Sequence, residues 1–120
     1  MQPKALKYLL DLESLVRELE SFKDLVGNDF FRFRDQPVVK RAVERDLEII
    51  GEAVRALLAI DPGVAITSSR KIIGLRNILA HAYDGVEDEL IWGILQKDIP
   101  QLKREVAELL GQSSPSSPGH

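Results

Sequence analysis

The sequence predicts an all-α protein, an antiparallel four-helix bundle. Apolar residues recur at spacings of three and four over long stretches, which is the period of a helix. Gly, Asn, Asp and Pro fall between those stretches, where they punctuate without interrupting. The one segment that could be a strand, Phe30-Phe-Arg-Phe-Arg34, would have no second strand to pair with.

The first helix is predicted from about Lys4 to Val26, on the spacing of Leu6, Leu9, Leu12, Val16, Leu19 and Phe22. Gly27-Asn28 reads as its C-terminal stop. The connection from Gly27 to Gln36 is expected to be irregular or helical. The second long helix runs from Gln36 or Pro37 to Ile60, because proline suits a first turn. Its stripe is Val39, Ala42, Val43, Leu47, Ile50, Ala53, Val54 and Leu57, and Asp61-Pro62-Gly63 ends it with turn chemistry. The third runs from Ser68 or Ser69 to Ala82. Ile72, Ile73, Leu75, Ile78 and Leu79 make it apolar nearly all round, so it is expected to be deeply buried.

The fourth begins near Val86 after Asp84-Gly85. Glu87, Asp88 and Glu89 fill its first turn, where the helix dipole favours acids. Pro100 lacks an N–H and clashes with the preceding turn, so a kink or break is expected near Ile99. Residues 1–110 form one domain on this reading. The segment Gly111-Gln-Ser-Ser-Pro-Ser-Ser-Pro-Gly-His120 has a composition that cannot build a core and is expected to be disordered.

Bulk composition narrows the function classes. The chain of 120 residues contains no cysteine, which rules out disulfides and thiolate metal sites. It has neither a secretory leader at its start nor an apolar run near the ~20 residues of a membrane span, so a cytoplasmic location is expected. The net charge is −3, which argues against a nonspecific nucleic-acid binder. The charge is uneven, however. Residues 32–76 hold nine bases and six acids, whereas residues 1–31 hold four and six, and residues 77–120 hold three and seven. The middle is locally basic between acidic flanks, read either as a solvated mosaic or as a basic cleft. Arg45, Arg70, Lys71 and Arg76 are its candidate phosphate contacts.

The chemistry concentrates in Arg76-Asn-Ile-Leu-Ala-His81-Ala-Tyr83. His81 is the only histidine apart from the terminal His120. Histidine titrates near neutrality and can move a proton from a ribose 2′-hydroxyl or to a leaving 5′-oxygen. Arginine can brace a phosphate as charge builds in the transition state. Asn77 and Tyr83 can position ribose or phosphate. On an ideal helix Arg76 and His81 lie about 140° apart, so convergence requires the helix to end or loosen near Ala80 to Tyr83. The alternative is structural: His81 as a cap or packing residue, Arg76 paired with Glu48 or Glu52, and Tyr83 over the core. With one histidine in the body and no cysteine, a zinc centre is not expected, and no cofactor is expected either.

Arg76-x4-His81-x-Tyr83 resembles the Arg-x4-His-x-Tyr motif of the HEPN superfamily. Leu47-Glu-Ile-Ile-Gly-Glu-Ala53, Ile73-Gly-Leu-Arg-Asn77, the Asp-Gly-Val after Tyr83, Trp92, and Asp98-Ile-Pro100 ahead of Leu102 resemble the HepT-like family in order and spacing. The resemblance covers about residues 6 to 110. It implies a helical-bundle homodimer whose motifs line a cleft near the dimer interface. It also implies a metal-independent endoribonuclease, the toxin of a type VII toxin–antitoxin pair, acting on RNA such as tRNA or mRNA. The implied partner is an MntA-like nucleotidyltransferase antitoxin that uses ATP and magnesium to attach AMP to the motif tyrosine. Carried over, Arg76 and His81 are the catalytic pair, Asn77 supports them and Tyr83 takes the AMP. One departure is Ala82, where the family often carries an acid or asparagine. A second reading is a noncatalytic helical subunit of a nucleotidyltransferase complex, and a third is a structural helical dimer.

Overall fold

The structure is a computed structural model that describes residues 2–74 and 88–112. The described residues form helices and their connections, with no strand among them. Helix α1 spans Pro3–Leu25 and opens on its proline. It closes as the Gly27-Asn28 signal predicts. Both residues take positive φ, 62° and 52°. The Gly27 N–H donates to the Asp24 carbonyl at 2.9 Å and the Asn28 N–H to the Lys23 carbonyl at 2.8 Å, satisfying two of the helix's last carbonyls.

The uncertain connection contains a short helix, α2, over Phe30–Arg34. Asp29 caps it, its Oδ1 accepting from the N–H groups of Phe31 and Arg32 at 2.8 and 3.2 Å. Helix α3 spans Pro37–Ile60, as its proline and terminal turn predict. Helix α4 begins at residue 69 and is described through residue 74. The predicted run to Ala82, the turn Asp84-Gly85 and the start at Val86 lie outside the described residues. So do residues 113–120 of the predicted tail, while the last helix carries the fold on to Gln112.

Of the kink or break expected near Ile99, the final helical stretch shows no break. Helix α5 spans Asp88–Gly93, α6 spans Ile99–Gln112, and a π-helical turn over Ile94–Asp98 joins them. Gly93 and Ile99 both keep helical dihedrals, so the helix widens instead of breaking. The Ile99 N–H donates to the carbonyl of Ile94, five residues back. In that register Pro100 has no N–H to offer the carbonyl of Leu95. Lys23 of α1 supplies the missing donor, with Nζ 3.4 Å from that oxygen. A wider turn and a lysine thus absorb the proline.

The core is one continuous cluster. Ala5, Leu9, Leu12, Val16 and Leu19 of α1 face Val43, Leu47, Ile50, Val54 and Leu57 of α3 and Leu95, Leu102 and Val106 of the last helical stretch. Each buried Leu, Ile or Val contributes roughly 1.5–3 kcal/mol. Ala5 replaces Leu6 in the predicted stripe, and Leu6 is left exposed. Glu18 lines the same surface as Arg41 and Asp46, while Tyr8 lines one with Ala56, so α1 and α3 run antiparallel. Lys103 of α6 reaches Glu20 at 2.7 Å, and Val106 lies with Val16, so α1 and α6 are antiparallel too. Of the three connecting phenylalanines, Phe33 is buried against Trp92 of α5, with ring centroids 5.2 Å apart. Phe30 is half-buried and Phe31 exposed.

Candidate functional site

The proposed chemical residues Arg76, Asn77, His81 and Tyr83 lie outside the described residues. What the structure describes is the base they extend from. Arg76 follows Gly74, the last described residue of α4, by two positions.

The entrance to α4 is tied down from three sides. The connection after α3 buries Ile66. The Thr67 N–H then donates to the Glu105 carboxylate of α6, at 3.2 and 3.1 Å from its two oxygens, and the Thr67 hydroxyl bonds the same carboxylate. The Ser68 hydroxyl donates to Asp98 Oδ1 at 3.3 Å. Lys71 places Nζ 2.9 Å from Asp98 Oδ2. That oxygen has no directed hydrogen bond, so the contact is an ion pair held by charge. The third tie is steric. Ile72 is fully buried, and its carbonyl oxygen lies 3.0 Å from where a side chain on Gly51 would begin. Gly51 is itself buried, and it lets α4 cross α3 backbone to backbone.

Of the predicted phosphate contacts, Arg45, Arg70 and Lys71 are among the described residues. Arg70 is exposed on the first turn of α4. Lys71 is half-exposed but engaged with the buried Asp98. Arg45 lines an open depression of about 420 Å³ with Glu18, Arg41, Ala42, Asp46 and Ile49.

Asp46 dominates that depression. It is 6% exposed, and its Oδ2 is buried with no hydrogen-bond partner. Burial pushes its carboxyl up to about 7, helped by a hydrogen bond with Glu18 and by Glu18's charge, with Arg45 opposing. The folded value lies above the ordinary 3.8, so the native state holds an extra proton between these limits. The stability this adds is complete below about pH 4 and is lost as the pH rises through about 7. Asp46→Asn mimics the protonated form. Its melting temperature should match the wild type at acid pH and exceed it by several degrees at pH 8, corresponding to about 1–2 kcal/mol. A variant that melts lower than wild type at pH 8 would show that the carboxylate is the favoured form.

Sequence reasoning assigned no role to Asp98, Glu105 or Gly51. Two of them carried a signal. A lone aspartate sits between the buried pairs Ile94-Leu95 and Ile99-Leu102, and a glycine interrupts a strong helix at mid-length. Glu105 carried none, since its partner is 38 residues away.

A family model described as "Ribonuclease HepT-like" matches residues 15–109. Among curated proteins, "Putative RNase TTE0752" of Caldanaerobacter subterraneus subsp. tengcongensis is 39% identical over 101 residues, covering 82% of this chain and 90% of that one. "Putative RNase MJ1380" of Methanocaldococcus jannaschii is 38% identical, covering 79% and 85%. "Probable ribonuclease HepT" of Thermococcus cleftensis is 31% identical, covering 85% and 92%. No solved structure matches the chain. Among the described residues, no helix is long and apolar enough to cross a membrane.

Proposed function

Because the chain belongs to the ribonuclease HepT-like family, we propose that it is an RNA endonuclease whose chemistry is carried by Arg76 and His81. The observation that carries this reading is the motif Arg76-x4-His81-x-Tyr83, which lies inside the matched span of residues 15–109. His81 takes the proton of a 2′-hydroxyl, and that oxygen attacks the adjacent phosphorus. The bond to the 5′-oxygen breaks, and the leaving oxygen takes up a proton. Arg76 stabilises the charge that gathers on the phosphate. Asn77, next to Arg76 in the chain, is the positioning group, and exposed Arg70 extends the phosphate contacts six residues back. No metal enters these steps. The products should therefore carry a 2′,3′-cyclic phosphate and a 5′-hydroxyl, which end-specific phosphatase and kinase treatment reads directly. A 5′-phosphate on the product would contradict attack by the 2′-oxygen.

The same reading makes the protein a homodimer, cytoplasmic, and the toxin of a toxin–antitoxin pair held in check at Tyr83. An MntA-like nucleotidyltransferase would supply the AMP. The Tyr83 hydroxyl attacks the α-phosphorus of ATP, and pyrophosphate leaves. The attached AMP would place a phosphate where Arg76 braces the substrate and add negative charge beside His81, favouring the imidazolium over the base. Exposed Phe31, Val38 and Leu90 leave apolar surface for a second copy. Native mass spectrometry reads both claims together. The wild type should appear at twice 13.4 kDa and gain AMP after incubation with the cognate nucleotidyltransferase, ATP and magnesium. Tyr83→Phe should remain dimeric and gain nothing. An adduct on Tyr83→Phe would move the modification elsewhere, and a species at 13.4 kDa alone would remove the dimer.

A further inference from the structure

We propose that Asp98 is a positioning residue for the Arg76–His81 chemistry: its carboxylate, in the π turn, fixes the start of α4, whose last described residue, Gly74, precedes Arg76 by two positions. The inference rests on the ribonuclease reading above and deepens it.

Asp98 is one of two acids buried among the described residues, at 3% exposure. It closes the π turn Ile94–Asp98, among the buried side chains Leu95, Ile99 and Leu102. Both of its oxygens face the same short segment. Oδ1 accepts from Ser68 at 3.3 Å, and Oδ2 lies 2.9 Å from the Lys71 ammonium. Ser68 and Lys71 are three residues apart, so one carboxylate ties the residue just before α4 to its first turn. A buried ion pair adds little net stability over apolar packing, but it is directional. An apolar residue at position 98 would fill the space and leave the rotation of α4 about its axis unset.

That rotation bears on the chemistry. Arg76 is five residues beyond Lys71, and His81 five beyond Arg76. Catalytic groups must be held within about 0.5 Å of their productive positions, and a displacement of ~1 Å costs about a hundredfold in rate. The role proposed for Asp98 is one of positioning and requires no contact with substrate. It acts through Ser68 and Lys71. On this account Lys71 serves the anchor instead of reading phosphate.

The test compares Asp98→Asn, which keeps shape but loses the charge facing Lys71, with Val16→Ala. Val16 is a core residue of α1 that lies with Lys103 and Val106 of α6, and its truncation destabilises the fold away from the Asp98 contacts. Cleavage is measured on a short RNA at a temperature where every variant is fully folded. Asp98→Asn should lower kcat roughly 10–100-fold and leave KM within about twofold, while Val16→Ala keeps the wild-type kcat. The double variant Asp98→Asn/Lys71→Met should be no slower than Asp98→Asn alone, because both changes break one contact. Hydrogen exchange should show faster exchange at the amides of residues 72–74 in Asp98→Asn, with α1 unchanged. Wild-type kcat in Asp98→Asn, or an equal fall in Val16→Ala, overturns the proposal. If the wild type itself leaves RNA intact, the ribonuclease reading fails. Exchange at residues 72–74 then still decides the anchor, and unchanged exchange overturns it.

Discussion

His81→Ala is expected to lower the rate of RNA cleavage by about a thousandfold while leaving the melting temperature within a few degrees of wild type. General acid–base catalysis contributes roughly 10²–10⁴-fold. The chain has one histidine outside its terminus, so no neighbouring imidazole can take over the proton. Arg76→Ala should fall by a similar amount and Arg76→Lys by less, because an ammonium keeps the charge but loses the paired N–H geometry. Melting curves by circular dichroism, set beside initial cleavage rates, separate lost chemistry from lost fold. Undiminished cleavage by His81→Ala would leave the histidine as a packing or capping residue, the structural alternative that the sequence also admits.

The largest expected effect on stability belongs to Gly51→Val. A Cβ at this position begins 3.0 Å from the Ile72 carbonyl oxygen and 3.8 Å from the Ile73 Cα, both of them backbone. A flexible side chain could swing away, but the backbone of a neighbouring helix has to shift as a body. Overpacking of this kind costs about 1–3 kcal/mol, and the two γ-methyls of valine place it at the upper end. Removing a helical glycine returns at most about 1 kcal/mol, so a net loss of about 2 kcal/mol is expected. That corresponds to a fall in melting temperature of roughly 8–16 °C for a domain of this size. Gly51→Ala should lie close to wild type, since the gain in helix propensity offsets a smaller clash. A Gly51→Val protein that melts with the wild type would show that α4 does not cross α3 at this point. The pair of variants also bears on function. Any displacement of α4 that leaves the fold intact should slow cleavage more than it weakens substrate binding.

The two long helices of the first half were legible because each carries its own stop signal and α3 also a start. Pro37 opens α3 and Asp61-Pro62-Gly63 closes it, and the observed span is Pro37–Ile60. Gly27-Asn28 ends α1 through two positive φ angles that these residues adopt more readily than others. The π turn was not legible. Pro100 announces that a hydrogen bond is missing, but a kink, a break and a widened turn all answer that defect. The choice here involves Lys23, which is 72 residues from Leu95 in the chain. The chemistry proposed for the candidate site is legible only in residue types and in the resemblance. Its supporting structure was not, because Asp98 meets Ser68 across 30 residues and Glu105 meets Thr67 across 38. Local sequence shows that Asp98 is an acid in an apolar stretch. Only the packed chain shows which segment it holds.

The claim on which the account turns is that this chain cleaves RNA with its own side chains. The most direct measurement incubates the purified protein with total tRNA in the presence of a chelator that removes divalent metal, and follows fragment production over time on a denaturing gel. The account predicts fragments that accumulate with the wild type at an undiminished rate under chelation and that are lost with His81→Ala. Intact tRNA with a folded wild-type protein, or cleavage that survives in His81→Ala, would contradict it.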